Sequence, residues 1–260
     1  MQTIKKALAN GRLVLLALVV VITLSGCRPA GPQALLDGER LIHEGKYPEA
    51  VEKLQVATQY LPKTAQAWNH LGLAYHGAGQ PEDARKAYQT ALKLDRDLAA
   101  ARYNLGNLFL EQNQPSSEVA EFTTFTIQRP ASTNGWIKLG YAQIGAQQWA
   151  AAQKSLLYAF KLAPANPEVL NGLGLLTLQQ KNTRDAAGYF NAAIQRQPGY
   201  APALLNLAVL THQTLRNLPL ALRMYQDYLA LKPKPANWLA VQEVARRLDL
   251  ELHPPPPPKP

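Results

Sequence analysis

Two hydrophobic patterns divide this chain. Leu13 to Leu24 forms a single apolar stretch of twelve residues, too short to cross a bilayer as a helix, which takes roughly 20 apolar residues. Beyond it the apolar and small positions stop running together and recur with a step of 34 residues. Counted from Gly31, Ala65, Ala99, Thr133, Pro167 and Ala201, the eighth position reads Gly38, Gly72, Gly106, Gly140, Gly174 and Ala208. The seventh reads Leu71, Leu105, Leu139, Leu173 and Leu207, and the twenty-fourth Leu54, Tyr88, Phe122, Leu156, Phe190 and Tyr225. Such a step predicts six units of two helices each, the first (helix A) carrying the small residue and the second (helix B) the bulky one. Pro48, Pro81, Pro115 and Pro219 stand where helix B opens, a place at which the missing N–H costs nothing. Pro62, Pro130, Pro164, Pro198 and Pro233 close most of the units, because proline cannot continue a helix. No unit can bury its apolar face alone, so stability has to come from stacking on neighbours.

Trp68-x2-Leu71-Gly72-x2-Tyr75, followed by Ala84-x3-Tyr88 and Ala91, resembles the tetratricopeptide repeat (TPR), a 34-residue helix–turn–helix unit. The resemblance implies an all-α, right-handed superhelical solenoid of six TPR repeats over residues 34–234. A capping helix is expected over 235–251, with Trp238, Leu239, Val241, Val244, Ala245 and Leu248 covering the last repeat. Residues 252–260, ending in Pro254 to Pro258 and Lys259-Pro260, read as a polyproline or disordered tail, either solvated or a ligand for a proline-binding groove. Three departures stand out. Unit three has Glu118 where a small twentieth residue belongs (Ala50, Ala84, Ala152, Ala186 and Ala221 elsewhere), and Thr123, Thr124 and Thr126 predict that its helix B is the softest. Unit six needs one extra residue near Arg216-Asn217. Unit one lacks the Trp and Leu of its first helix, as an atypical terminal repeat would.

The apolar stretch before the repeats follows Lys5, Lys6 and Arg12, the layout of a secretory signal. Leu24-Ser25-Gly26-Cys27 comes directly after it and resembles the lipobox of bacterial lipoprotein precursors. That implies a signal peptide over residues 1–26 and diacylglyceryl transfer to the Cys27 thiol, with Cys27 as the mature first residue. Residues 27–33, rich in breakers, read as a tether reaching on the order of 20 Å. Arg28, where aspartate retains such proteins in the inner membrane, points to the outer membrane. Cys27 is the only cysteine, so no internal disulfide can form.

The formal charge of +9 loses Lys5, Lys6 and Arg12 on such cleavage. The remaining basic residues are scattered and form no stripe with interleaved aromatics, so nucleic acid is not an expected partner. No HExxH, GxSxG or GxxxxGK[ST] motif occurs. Gly172-Leu173-Gly174 is read as packing glycine rather than a phosphate loop, since no strand precedes it. The five histidines are dispersed. An enzyme, a metal site, a cofactor and a small-molecule substrate are not expected.

In TPR proteins ligands usually lie along helix A at positions two, five, six, nine, twelve and thirteen. That register implies a peptide-binding groove presenting Asn69, His76, Tyr103, Asn107, Lys138, Tyr141, Asn171 and Asn206. Side-chain amides both donate and accept, which suits the backbone of an extended peptide. The implied function is a lipid-anchored TPR scaffold or adaptor that holds a protein or peptide partner in the bacterial envelope, as an assembly or biogenesis factor would. The alternative is a binder of cell-wall glycan or anionic lipid, with the repeats as rigid spacer.

Overall fold

A computed structural model of the chain describes residues 30–254. The signal peptide, Cys27 and the end of the proline tail therefore lie outside the described residues. Within them stand thirteen α-helices and no strand. Six pairs come first: α1 (Ala30–His43) with α2 (Tyr47–Tyr60), α3 (Ala65–Gly77) with α4 (Pro81–Leu94), and α5 (Ala99–Glu111) with α6 (Pro115–Gln128). Then follow α7 (Thr133–Gly145) with α8 (Trp149–Leu162), α9 (Pro167–Gln179) with α10 (Thr183–Arg196), α11 (Ala201–Gln213) with α12 (Leu218–Leu229), and lastly α13 (Trp238–Leu252). The starts of helix A from α3 onward coincide with the unit starts read from the sequence. Among these helices none is long and apolar enough to cross a membrane.

The chain divides into two compact units, one ending at Leu108 and one beginning at Phe109. In the first, α1 packs on α2 and α3, and α3 on α4. In the second, each helix packs on its successor from α6 to α13, and α9 also packs on the helix A before it, α7, and after it, α11.

The glycines explain the close approach of each pair. A Cβ on Gly72 would stand 2.6 Å from the Tyr88 ring, one on Gly140 2.6 Å from Leu156 Cγ, and one on Gly174 2.5 Å from the Phe190 ring. Gly38 meets Leu54 in the same way. The eighth position is thus empty because the twenty-fourth fills it, and Leu54, Tyr88, Leu156 and Phe190 are fully buried as a result. Trp68 and Trp136 join successive repeats by donating Nε1–H to the Pro62 and Pro130 carbonyls of the preceding unit, at 2.9 and 2.8 Å.

Each turn from helix A to helix B passes through one residue of positive φ: Gly45, Gly79, Asn113, Gln147, Lys181 and Arg216. The first five are 34 apart and the last is 35 further on. In the five regular turns the next N–H reaches back five residues, as from Gln148 to the Gln143 carbonyl; in the sixth, Asn217 reaches back six, to Thr211. The extra residue of unit six is therefore absorbed in this turn.

Two expected boundaries move. Ala30–Gln33, read as tether, already belongs to α1; a proline in the first turn of a helix loses no hydrogen bond it could have made. In the cap, Pro235–Asn237 lies outside α13. Val241, Ala245 and Leu248, spaced along one face, pack with Ala208, Leu222 and Tyr225, whereas Leu239 is 75 % exposed and Val244 also faces outward. Trp238 packs its indole under the Lys234 ammonium, 3.8 Å from the ring centre, and donates Nε1–H to the Leu229 carbonyl.

Candidate functional site

The eight groove residues expected from the repeat register separate into four in each unit of the chain. In the first unit Asn69 is buried and accepts, through Oδ1, a hydrogen bond from Asn104 Nδ2 at 3.1 Å. His76, Tyr103 and Asn107 are half-buried. Asn69 therefore ties one helix A to the next, and its carbonyl is already occupied.

The second unit repeats this device with more members. Asn206 Nδ2 donates to Asn171 Oδ1 at 2.8 Å, 35 residues apart, as the first pair is. Asn171 Nδ2 in turn donates to the Tyr141 hydroxyl at 2.8 Å, and Tyr141 donates to the Glu168 carbonyl at 3.1 Å. The fifth position of one repeat and the sixth of the next face each other across adjacent A helices. An amide at both places closes a bridge that Leu or Ala could not.

Around this chain of hydrogen bonds lies a cavity of about 340 Å³. Lys138, Tyr141, Asn171 and Asn206 line it, four of the expected residues brought together from α7, α9 and α11. Sequence reasoning did not place Glu118, Glu168 and Tyr200 here, yet all three line it too. Glu168 holds the second position of its repeat, so the register could have found it. Tyr200 belongs to the turn before α11 and Glu118 to a helix B, places that a rule about helix A passes over.

Buried titratable groups give the cavity its electrostatic character. Burial pushes the Glu118 carboxyl up to about 7, against the pull of the nearby Lys138 ammonium. Glu118 is only 4 % exposed, and its Oε1 meets no hydrogen-bond donor. Burial also raises the phenols of Tyr141 and Tyr200, the latter to about 12, with the Glu168 carboxylate adding to both shifts. Both tyrosines are thus neutral donors at physiological pH.

A second cavity, of about 370 Å³, lies where α11 and α12 meet the capping helix. Val209, His212, Tyr225, Val244 and Leu248 are among its walls. His212 Nδ1 stands 3.3 Å from the Tyr225 hydroxyl. Among the described residues no three His, Cys, Asp or Glu side chains gather as a metal site.

Known proteins agree with the geometry. Family models for the tetratricopeptide repeat match residues 65–98 and 137–201, and one for the TPR repeat matches residues 38–79. Protein O-mannosyl-transferase TMTC3 of Homo sapiens is 28 % identical over 201 residues, which are 72 % of this chain and 22 % of that protein. Type IV pilus assembly protein PilF of Pseudomonas aeruginosa is 25 % identical over 166 residues, 63 % of this chain and 65 % of that protein. The chain spans 22 % to 37 % of the length of TMTC3 and three further curated relatives. A tetratricopeptide repeat protein from Parabacteroides merdae superposes with a TM-score of 0.75 at 16 % identity, over 86 % of this chain and 87 % of that one. The PilF structure superposes at 0.64 and 19 %, over 83 % and 97 %. Register, family matches and likeness of fold converge, and this chain is built of tetratricopeptide repeats.

Proposed function

We propose that this chain is a lipid-anchored scaffold of the bacterial envelope that holds an extended segment of a partner protein in the groove of its second unit. The observation that carries the groove is the cavity between α7, α9 and α11, whose floor is ordered by the Asn206–Asn171–Tyr141 hydrogen bonds. A floor fixed in advance lowers the ordering cost of binding. Half-buried Lys138 and Asn206 leave polar groups at its rim for a peptide backbone. The anchor rests on the lipobox-like Leu24-Ser25-Gly26-Cys27 behind its basic and apolar segments. A role in assembly is in keeping with the name of PilF, a pilus assembly protein. The family fold is typically a non-catalytic scaffold, and we assign no reaction to this one.

The charge reading has less behind it. Five of the 27 Lys and Arg lie outside residues 30–254 and none of the 18 acids does, so the described residues carry a formal +4. That is a weak field for holding glycan or anionic lipid, and it would be screened at physiological salt.

Photo-crosslinking on isolated membranes tests the groove. A crosslinker at Lys138 or Asn206 is expected to trap one partner protein, while one at exposed Gln153 on α8 does not. Equal labelling from both faces, or none from the groove, refutes the groove. Mass analysis of the mature N-terminus tests the anchor separately: an unlipidated Cys27, or an uncut chain, ends that part.

A further inference from the structure

Glu118 is the one place where repeat packing and the cavity disagree. The twentieth position is alanine in five of the six units, and there it packs without remainder: Ala50, Ala84, Ala152, Ala186 and Ala221 are all fully buried. In unit three the same place holds a carboxylate, equally enclosed, that turns into the cavity. A buried carboxylate without a donor on one oxygen is costly, and alanine would remove the cost. The residue therefore weakens the repeat where it stands, which is the mark of a group kept for a ligand.

We propose that Glu118 anchors a basic side chain, lysine or arginine, of the protein segment that occupies this groove. The inference rests on the groove reading above and adds the chemistry of the occupant. Charge complementarity supports it. Two carboxylates, Glu118 and Glu168, line the cavity against one ammonium, Lys138, so one further positive charge balances the set. The phenols of Tyr141 and Tyr200 are neutral and offer an apolar wall with polar tips to the aliphatic stem of such a side chain. Leu110, Leu175 and Pro202 complete the lining.

Protonation gives a second signature. With its pKa raised to about 7, Glu118 is close to half protonated at neutral pH, and a bound cation holds it ionised. Binding then releases about half a proton per complex at pH 7. The other titratable groups lining the cavity are Lys138 from α7, Tyr141 from α7, Glu168 from α9 and Tyr200 before α11, and both phenols stay protonated there.

The test selects random twelve-residue peptides on the full chain in detergent micelles, and measures the winners on wild type, E118Q and E118A. The last variant restores the small residue of the other repeats and keeps the helix pair packed. Selected peptides are expected to share Lys or Arg at one position. Replacing it by Gln is expected to weaken binding to wild type by about thirtyfold or more, with little effect on either variant. Calorimetry at pH 7 in phosphate and in Tris is expected to show proton release with wild type and none with E118Q. Peptides that lack a basic position yet lose binding on N206A leave the groove reading standing and overturn this one. A basic preference that survives in both E118Q and E118A overturns it as well. Self-association of wild type through the cavity, lost in E118Q, makes the occupant a second copy and also overturns it. No peptide whose binding depends on Asn206 or Lys138 sinks both readings together.

Discussion

Replacing Glu118 by Gln should make the repeat array more stable at high pH and change the shape of its pH dependence. Glu118 is 4 % exposed and its carboxyl titrates at about 7 in the folded chain, against about 4.3 in an unfolded one. Below pH 4 it is protonated in both states and contributes no pH-dependent difference. As pH rises through this window the unfolded chain ionises first and the folded chain resists, so the fold loses stability. Above about pH 8 both states are ionised and the whole penalty is present. A shift of this size is worth about 3 kcal/mol. Gln keeps the shape and cannot ionise. The stability difference between E118Q and wild type should therefore grow by about 3 kcal/mol between pH 4.5 and pH 8.5, steepest near neutrality. Urea unfolding followed by far-UV circular dichroism, at matched salt across that range, measures it. Backgrounds from the other carboxylates cancel in the difference. A difference that stays flat with pH would refute the reasoning, because Glu118 would then be solvated or already paired.

Two further outcomes follow from the helix-pair geometry. Gly140→Ala puts a methyl 2.6 Å from Leu156 Cγ and should cost about 2 kcal/mol in urea unfolding, within the range for overpacking; in a double-mutant cycle Leu156→Ala should recover part of that loss. Gln147→Gly and Lys181→Gly relieve side chains held at φ of 59° and 61° and should each stabilise by about 1 kcal/mol, read as a higher unfolding midpoint, whereas Gly79→Gln at the equivalent turn should destabilise by a similar amount.

The period of 34 residues determined most of this protein by itself. Each alternation of small and bulky positions, each proline at the start of a helix B and the extra residue before Ala221 could be placed without coordinates, because in a repeat array every unit meets the same neighbour and packing is local. The glycines at positions 72, 140 and 174 had only one use, and the structure shows it: each faces the ring or the branched side chain 16 residues on. The residues lining a groove could be named from the register as well, which brought Lys138, Tyr141, Asn171 and Asn206 to one cavity.

What those side chains do there was decided only in three dimensions. Asn69 and Asn171 looked like free amides for a peptide, yet both are buried and bonded to the repeat that follows. A pattern along the chain gives the face on which a residue sits, not whether its hydrogen bonds are already made, since that depends on a partner 35 residues away. Glu118 shows the same limit from the other side. Its letter marked it as a misfit, and a misfit on a helix B is ordinarily solvated or paired; only packing against α7 and α9 leaves it enclosed, lacking a donor on one oxygen and facing a cavity. Local period decides the backbone because the forces that set it act within one repeat and its neighbour. The state of a buried polar group depends on every atom that surrounds it, and those atoms meet only after folding.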